Sequence, residues 1–372
     1  MQRLRFPGLT ELLWSVALLY GAVAATAIGD VCAQTQEAAD EPRPHIAALL
    51  PTRSETFARL ADALRRGIEA GYAADEERPD RLPVILYATG DDSRAVVDTY
   101  DRALRDGAVA VIGPLTRSSV QALAASGAVT VPTLALSVPD PGTQLPDNMY
   151  ALGVHLESEA RQAARLAQRQ GKRRAEIIQS ESALSRRMAQ AFADEFGRGG
   201  RLIVGQQEFS TDKARLKKIR DSIAADNADA IFFSLDGPRL RQIRPFLGRN
   251  VASYATSQAN SAEGTVVGQH DLAGILFVDM PWMVAPDHPA VMIYPRLPGL
   301  FATFDQERFY ALGIDAWRLS QMLLETAYSS LGTLDGVSGY IAPGPGRQFL
   351  REAIPAQFTQ GGARALTEQE IR

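Results

Sequence analysis

Apolar and polar residues fall along this chain in alternating blocks of two lengths. The run His45-Ile46-Ala47-Ala48-Leu49-Leu50-Pro51 is short, continuous and closed by a proline, the pattern of a buried strand. Ser54 to Tyr72 then carries Phe57, Leu60, Ala61, Leu64 and Ile68 at helical spacing, and the Ser54 hydroxyl is placed to cap that helix. The same alternation predicts strands at 83–87, 109–113 and 129–136, and helices at 94–105 and 117–125. Strands that are apolar throughout, separated by amphipathic helices, imply parallel pairing covered on both faces.

The alternation then restarts. Helices are predicted at 157–170, 182–196, 213–225 and 238–246, and strands at 175–179, 201–209, 228–233, 253–256 and 274–278. Two successive units of this kind predict two similar α/β lobes, the first over 45–152 and the second over 153–282. A long helix over 308–328, with Leu312, Ile314, Ala316, Leu319, Met322 and Leu323, is apolar enough to return to the first lobe within 283–335. Residues 336–372 read as a C-terminal hairpin and tail, turning at Pro343-Gly344-Pro345-Gly346.

The N-terminal segment changes the picture of where this body works. Arg3 and Arg5 precede a nearly unbroken apolar stretch from Leu12 to Ile28, and the chain turns polar after Ala33. That three-part pattern predicts a secretory signal peptide over 1–33, with small residues at Val31 and Ala33 for cleavage and a second possible site at Ala25-Thr26-Ala27. Residues 34–44, with Pro42 and Pro44, read as a flexible lead-in. The one cysteine, Cys32, sits at this border, where its alternative role is a lipid anchor on the membrane. Cleavage after Ala33 leaves roughly 340 residues, enough for two domains, and no cysteine to form a disulfide.

Charge adds an asymmetry. The whole chain carries −4 formally, which with a secretory leader argues against a nucleic-acid partner. From Gly153 to Ala252 there are 19 Lys and Arg against 12 Asp and Glu, whereas Glu41 to Leu152 has 11 against 15. The excess is gathered in Lys172-Arg173-Arg174, in Lys213, Lys217, Lys218 and Arg220, and in Arg239 to Arg249 with Arg241 and Arg244. A basic second lobe of this kind steers an acidic partner surface or an anionic polymer, unless its charges are simply solvated helix faces.

Catalytic signatures do not appear. There is no phosphate-cradling Gly-Lys-Ser/Thr loop, no paired-His zinc helix and no Gly-x-Ser-x-Gly elbow. His45, His155, His270 and His288 are scattered without ligand spacing. The expectation is a non-enzymatic chain with no cofactor and no metal. Trp282 and Trp317 sit among apolar residues and read as hinge or core positions. The turn Gly113-Pro114-Leu115-Thr116-Arg117-Ser118-Ser119 leads from a strand into a helix N-terminus, where free N–H groups suit a small anion. Thr116 as a simple helix cap is the competing reading.

Several stretches resemble known families. Ile46 to Pro51, Val111-Ile112-Gly113-Pro114-Leu115 and Val131-Pro132-Thr133-Leu134-Ala135-Leu136 are similar to type I periplasmic-binding proteins. More specifically, Asp229-Ala230-Ile231-Phe232, Arg241-Gln242-Ile243-Arg244-Pro245, Tyr254-Ala255-Thr256-Ser257, Asp279-Met280-Pro281-Trp282 and Arg308 to Leu319 resemble the C-terminal domain of the penicillin-binding protein activator LpoA family. The tail Ala356-Gln357-Phe358 with Gly361-Gly362 fits the same pattern, so the likeness spans about Ile46 to Ala365.

That resemblance implies an α/β, two-lobed type I periplasmic-binding-protein fold, each lobe a mainly parallel sheet flanked by helices. It implies a periplasmic regulator whose partner is a bifunctional penicillin-binding protein, a peptidoglycan synthase. Members of the family carry a helical-repeat domain ahead of this one and are outer-membrane lipoproteins; here the expectation is the binding-protein-like domain alone. The second function it leaves open is a solute receptor of an ABC importer for an amino acid or similar small anion. Its candidate cleft residues are Thr116, Ser118, Ser119, Ser137, Thr256 and Ser257, because in receptors of this fold hydroxyls at such turns hold a carboxylate.

Overall fold

The computed structural model describes residues 42–140, 142–261, 271–296 and 298–372. The expected leader, its cleavage sites and Cys32 lie outside the described residues, as does His270. The first lobe is a five-stranded parallel sheet in the order β2-β1-β3-β4-β5. Its strands are β1 (His45–Leu50), β2 (Val84–Ala88), β3 (Ala108–Ile112), β4 (Thr133–Ala135) and β5 (Met149–Ala151). Every residue of β1 is buried, because α1 (Ala58–Ala74) covers one face and α2 (Ala95–Arg105) and α3 (Arg117–Ser126) the other.

The second lobe holds α4 (Leu156–Arg169), β6 (Arg174–Gln179), α5 (Ala183–Phe196), β7 (Leu202–Glu208) and α6 (Lys213–Ala225). It continues through β8 (Ala230–Ser234), α7 (Gly237–Leu247), β9 (Ala252–Ala255) and β10 (Leu276–Asp279). Local chemistry starts its helices: Ser182, Asp212 and Asp236 each accept the N–H three residues on. The chain then enters α8 (Phe304–Glu325), which packs along α1 and fills the first lobe's core with Leu312, Ala316, Trp317, Leu319 and Leu323. Trp317 is fully buried, edge-on to Tyr72, with its indole N–H donated to Asp75 at 2.7 Å. Burying a large apolar side chain of this kind stabilises by about 1.5–3 kcal/mol.

Three boundaries differ from the sequence reading, each for a local reason. Helix α1 begins at Ala58 rather than Ser54, because Ser54 Oγ is used in the preceding turn, accepting from Phe57 N–H at 2.9 Å and donating to Asp91. Helix α8 begins a turn before Arg308, at a reciprocal capping box between Thr303 and Gln306. Strand β4 is confined to three residues, because Pro132 has no N–H to give the ladder.

The tail does more than form one hairpin. β12 (Tyr340–Pro343) and β13 (Phe349–Glu352) pair about the Pro-Gly turn and, with β11 (Leu334–Asp335), make a small third sheet. β14 (Ile354–Thr359) and β15 (Gly362–Ala365) then join the second lobe, giving the order β15-β14-β10-β9-β8-β6-β7 with β14 antiparallel to β10. Among the described residues, the chain therefore passes between the lobes three times: at Leu152–His155, at Asp279–Trp282 and at Glu352–Ile354.

Two features of the cores are unusual and testable. α1 and α8 cross at glycines: a Cβ on Gly67 would lie 2.0 Å from the Tyr310 carbonyl oxygen, and one on Gly313 would lie 2.2 Å from that of Leu64. Gly67→Ala or Gly313→Ala is expected to lower unfolding stability by about 1–3 kcal/mol through overpacking. Gly90→Ala, at an open position, should stay within about 0.5 kcal/mol of the parent in the same urea titration.

Glu176, on β6, is fully buried with neither carboxylate oxygen hydrogen-bonded, over the bare α-carbon of Gly205. Burial pushes its pKa up from 4.5, the nearby Gln207 side chain offsets part of that, and the negative charge of Asp226 adds to the rise. The folded state therefore holds this proton more tightly than the unfolded chain. The resulting stability is complete below pH 4.5 and is lost as pH rises above it. Glu176→Gln should flatten that slope and raise the melting temperature at pH 8; an unchanged slope would contradict the assignment.

Candidate functional site

The cleft between the lobes is walled by the first lobe's strand-to-helix turns and by the start of α4 and α5. Its lining is mostly apolar, with Leu115, Leu136, Val154, Leu184, Phe309 and Leu312. Thr116, Ser137, Arg117, His155, Glu157 and Arg187 supply the polar part. The charged groups among them are already paired. Arg187 Nε donates to Glu157 Oε1 at 2.7 Å, and Arg117 Nη1 lies 3.2 Å from Asp140 Oδ1. Burial pushes the His155 pKa down despite Glu157, so the ring is neutral at pH 7.

The candidate hydroxyls divide. Thr116 and Ser137 face the cleft. Thr116 Oγ1 accepts from the Ser119 N–H at 3.3 Å and donates to the Ser119 hydroxyl at 2.7 Å, so it works as the α3 cap. Ser119 is buried behind it, and Ser118 is exposed outside the residues that line the cleft. Thr256 and Ser257 are also buried away from it: Thr256 Oγ1 points at Met188 Sδ, and Ser257 gives its N–H to Glu159 and its carbonyl to Arg308. Ser119, Thr256 and Ser257 are therefore corrected from ligand positions to structural ones.

Behind the cleft stands a buried polar network that the sequence reading quoted in pieces without pairing them. Arg308, in α8, donates from Nε to Asp279 Oδ1 at 3.0 Å and from Nη2 to Asp279 Oδ2 at 2.8 Å. The same guanidinium reaches the carbonyls of Ser257 and Asn260 at 2.9 and 2.8 Å, and Asp305 at 2.9 Å. Asp279 ends β10 and is fully buried, and it also accepts from Asn260 Nδ2 and its neighbour's backbone N–H. Burial by itself lowers the Arg308 pKa, but the Asp279 charge and its hydrogen bonds outweigh that and hold it above its ordinary value. This pair joins the first lobe's long helix to the end of the second lobe's sheet.

A second buried pair works beside the first. Arg351, on β13, donates to Glu159 of α4 at 2.9 Å and to the Ser338 carbonyl at 2.8 Å. Gln162 donates to the Arg351 carbonyl and accepts from the Ala353 N–H, fixing the third crossover. Asp315 receives the Val337 and Ser338 N–H groups and the Ser338 hydroxyl. Trp282 follows the second crossover and is 2 % exposed. Its indole donates to Glu307 at 2.7 Å, and Arg296 lies over its ring. The visible signal was a charge set inside an apolar stretch, as Asp279 is between Val278 and Met280.

The candidate partner surface is also divided. Lys213, Lys217, Lys218 and Arg220 are all exposed on α6, with Leu216, Ile219 and Ile223 buried opposite. Arg220 lies 3.6 Å from Asp221. Arg241 is half-buried against Ser261. Arg244 is buried, with its guanidinium bonded to the Gly248 carbonyl and its pKa lowered by burial. It is corrected from a surface contact to a structural group closing α7. Among the described residues, no cluster of His, Cys, Asp and Glu is arranged to hold a metal.

Comparisons with known proteins bear on this geometry. The family model described as "LppC putative lipoprotein" matches residues 24–224 and 206–361. The penicillin-binding protein activator LpoA of Pectobacterium parmentieri is 25 % identical over 337 residues, which cover 78 % of this chain and 49 % of that protein. The same activator from Klebsiella pneumoniae is 27 % identical, over 75 % of this chain and 46 % of its own. The chain thus spans about half the length of the curated relatives it matches. Among solved structures, the LpoA C-domain from Haemophilus influenzae, described as a regulator of PBP1A, aligns with a TM-score of 0.71 at 20 % identity, over 87 % of this chain and all of that one. A Chromobacterium violaceum protein described as "a putative branched-chain amino acid ABC transporter" aligns at 0.73 and 36 % identity, over 85 % of this chain and all of its own. The fold is that of the type I periplasmic-binding proteins.

Removing one member of the buried cross-lobe pair leaves its partner charged and unpaired. Asp279→Asn or Arg308→Met is expected to cost about 3–5 kcal/mol in urea unfolding. Replacing both with Leu and Met should recover much of that loss. A single replacement within 1 kcal/mol of the parent would show that the pair is not buried as described.

Proposed function

The chain belongs to the LppC family, and on that footing we propose that it is a non-catalytic periplasmic regulator of a bifunctional penicillin-binding protein in cell-wall synthesis. The observation that supports this over a solute receptor is the state of the cleft. Each arginine lining it is already matched by a carboxylate, Arg187 by Glu157 and Arg117 by Asp140. The hydroxyl at the strand-to-helix turn is spent on capping α3. An amino acid's ammonium and carboxylate would have to break one of these pairs to find an opposite charge there, which takes away from the gain on binding. The crossovers are also tied by buried pairs, which favours a body that presents its surface over one that closes on a solute.

In this reading the exposed cations of α6, namely Lys213, Lys217, Lys218 and Arg220, with Arg241, steer the encounter with an acidic face of the synthase. The regulator then shifts the synthase toward an active state by no more than its difference in affinity for the two states. Delivery is through the leader, with Cys32 as the membrane tether where it is lipidated. Neither nucleic acid nor a resident cofactor has a part. The receptor reading keeps one specific support, the 36 % likeness to the Chromobacterium protein.

The test uses mature protein beginning at Gln34 and the bifunctional synthase of the same cell. Direct binding and a several-fold rise in glycan polymerisation or cross-linking are expected. Charge reversal at Lys217, Lys218 and Arg220 should slow association and weaken its salt dependence. A melting shift with one amino acid, and no binding to the synthase, would establish the receptor instead.

A further inference from the structure

Helix α4 carries Arg161, Arg165 and Arg169 four residues apart, so their side chains stack on one face about 6 Å apart along the axis. That face borders two adjoining depressions. Arg161 walls the first, opposite Leu350 of β13. Arg165 and Arg169 wall the second, opposite Glu352 and Pro355. The first opens beside the cleft, with which it shares Val138, Gly153 and His155, and the second runs on along α4 past Glu352 to Pro355 of β14; the three arginines line this path as a groove. Leu350 is 54 % exposed and Tyr340 47 %. The β12–β13 register sets Tyr340 beside Glu352, two residues along from Leu350, so all three share the outward face.

The groove's charges are unevenly matched. Arg165 reaches across to Glu352 at 3.4 Å, and it also lies 3.8 Å from Glu195. Among the described residues, Arg161 and Arg169 form no ion pair and no hydrogen bond. One carboxylate on the opposite rim therefore faces three guanidinium groups. The Arg165–Glu352 contact is exposed on both sides, at 36 % and 63 %, and such pairs are weak enough for an incoming carboxylate to displace Glu352.

We propose that this groove is a docking site for an acidic, extended segment of the partner protein. The inference rests on the reading that the chain works by binding such a partner. Alternate side chains of an extended segment recur every ~6.6 Å, close to the rise between successive arginines. Acidic residues at every second position thus meet Arg161, Arg165 and Arg169 in turn, where the guanidinium fork accommodates carboxylates two-pronged. The intervening side chains face the other way, toward Leu350 and Tyr340, so apolar residues suit them. Arginine and tyrosine around an apolar centre are also the residue types that dominate protein interfaces.

Two probes test the proposal: a labelled octapeptide of alternating Glu and Leu, and the purified synthase. The variants are R161E/R169E, L350S, and R59E/R105E on the first lobe as a charge-matched control, each checked for an unchanged melting profile. The expected result is that R161E/R169E loses at least tenfold in affinity for the peptide and for the synthase, that L350S loses less, and that R59E/R105E loses nothing. If the synthase binds the parent and R161E/R169E equally, the groove is not the docking site, while the regulator reading stands. If the synthase does not bind the parent at all, the regulator reading fails and the peptide decides the groove. A peptide held equally by parent and R161E/R169E, or by neither, overturns it.

Discussion

The buried pair of Asp279 and Arg308 is the contact on which the arrangement of the two lobes depends. It sits where the second sheet ends and the chain turns back, and its arginine comes from the helix that completes the first lobe. A charge pair this deeply buried is retained only when its remaining hydrogen-bonding capacity is met. Here the carbonyls of Ser257 and Asn260, the Asn260 amide and the Met280 N–H meet it. Those groups lie before and within the second crossover and Arg308 beyond it, so the ion pair fixes how strand, turn and helix meet. The Glu159–Arg351 pair and Gln162 do the same at the third crossover.

Crossovers tied by buried pairs, as the second and third are, change what a two-lobed body is suited to. A receptor gains its selectivity by closing around a solute, which needs hinges able to turn and a cleft whose polar groups wait for a ligand. This chain has crossovers held by side chains from α4 and α8, and a cleft whose charges answer one another across the same walls. What it leaves uncommitted is outside: the lysines of α6, and Arg161 and Arg169 of α4. A fixed body with free surface charge suits recognition of another protein, with the exposed cations setting the encounter rate and the groove setting the lifetime.

The α/β alternation was legible because buried parallel strands such as β1 and β8 are apolar from end to end. The Arg308-to-Leu319 block was legible as a resemblance, but its pairing with Asp279 was not, since the two are distant in sequence and meet only through the crossover. The start of α8 was missed because Thr303 and Gln306, which define it, follow a stretch rich in proline and glycine. The candidate hydroxyls are placed by different local demands. Thr116 and Ser119 are engaged with each other and with the Ser119 N–H at the start of α3, as a serine or threonine near a strand end has such groups in reach, whereas Thr256 points at Met188 and Ser257 is held by its backbone groups. The arginine spacing along α4 was visible in the sequence, but only the fold brings Leu350 and Glu352 opposite it.

The most direct test of a fixed two-lobed body is the distance between the lobes in solution. Spin labels at Ser118→Cys on the first lobe and Arg186→Cys on the second, both exposed positions, report it by pulsed electron resonance in protein produced from Gln34 onward. One narrow distance distribution, unchanged by a mixture of the common amino acids, is the result this account predicts. A second, shorter distance that grows with added amino acid would show a closing receptor and contradict it.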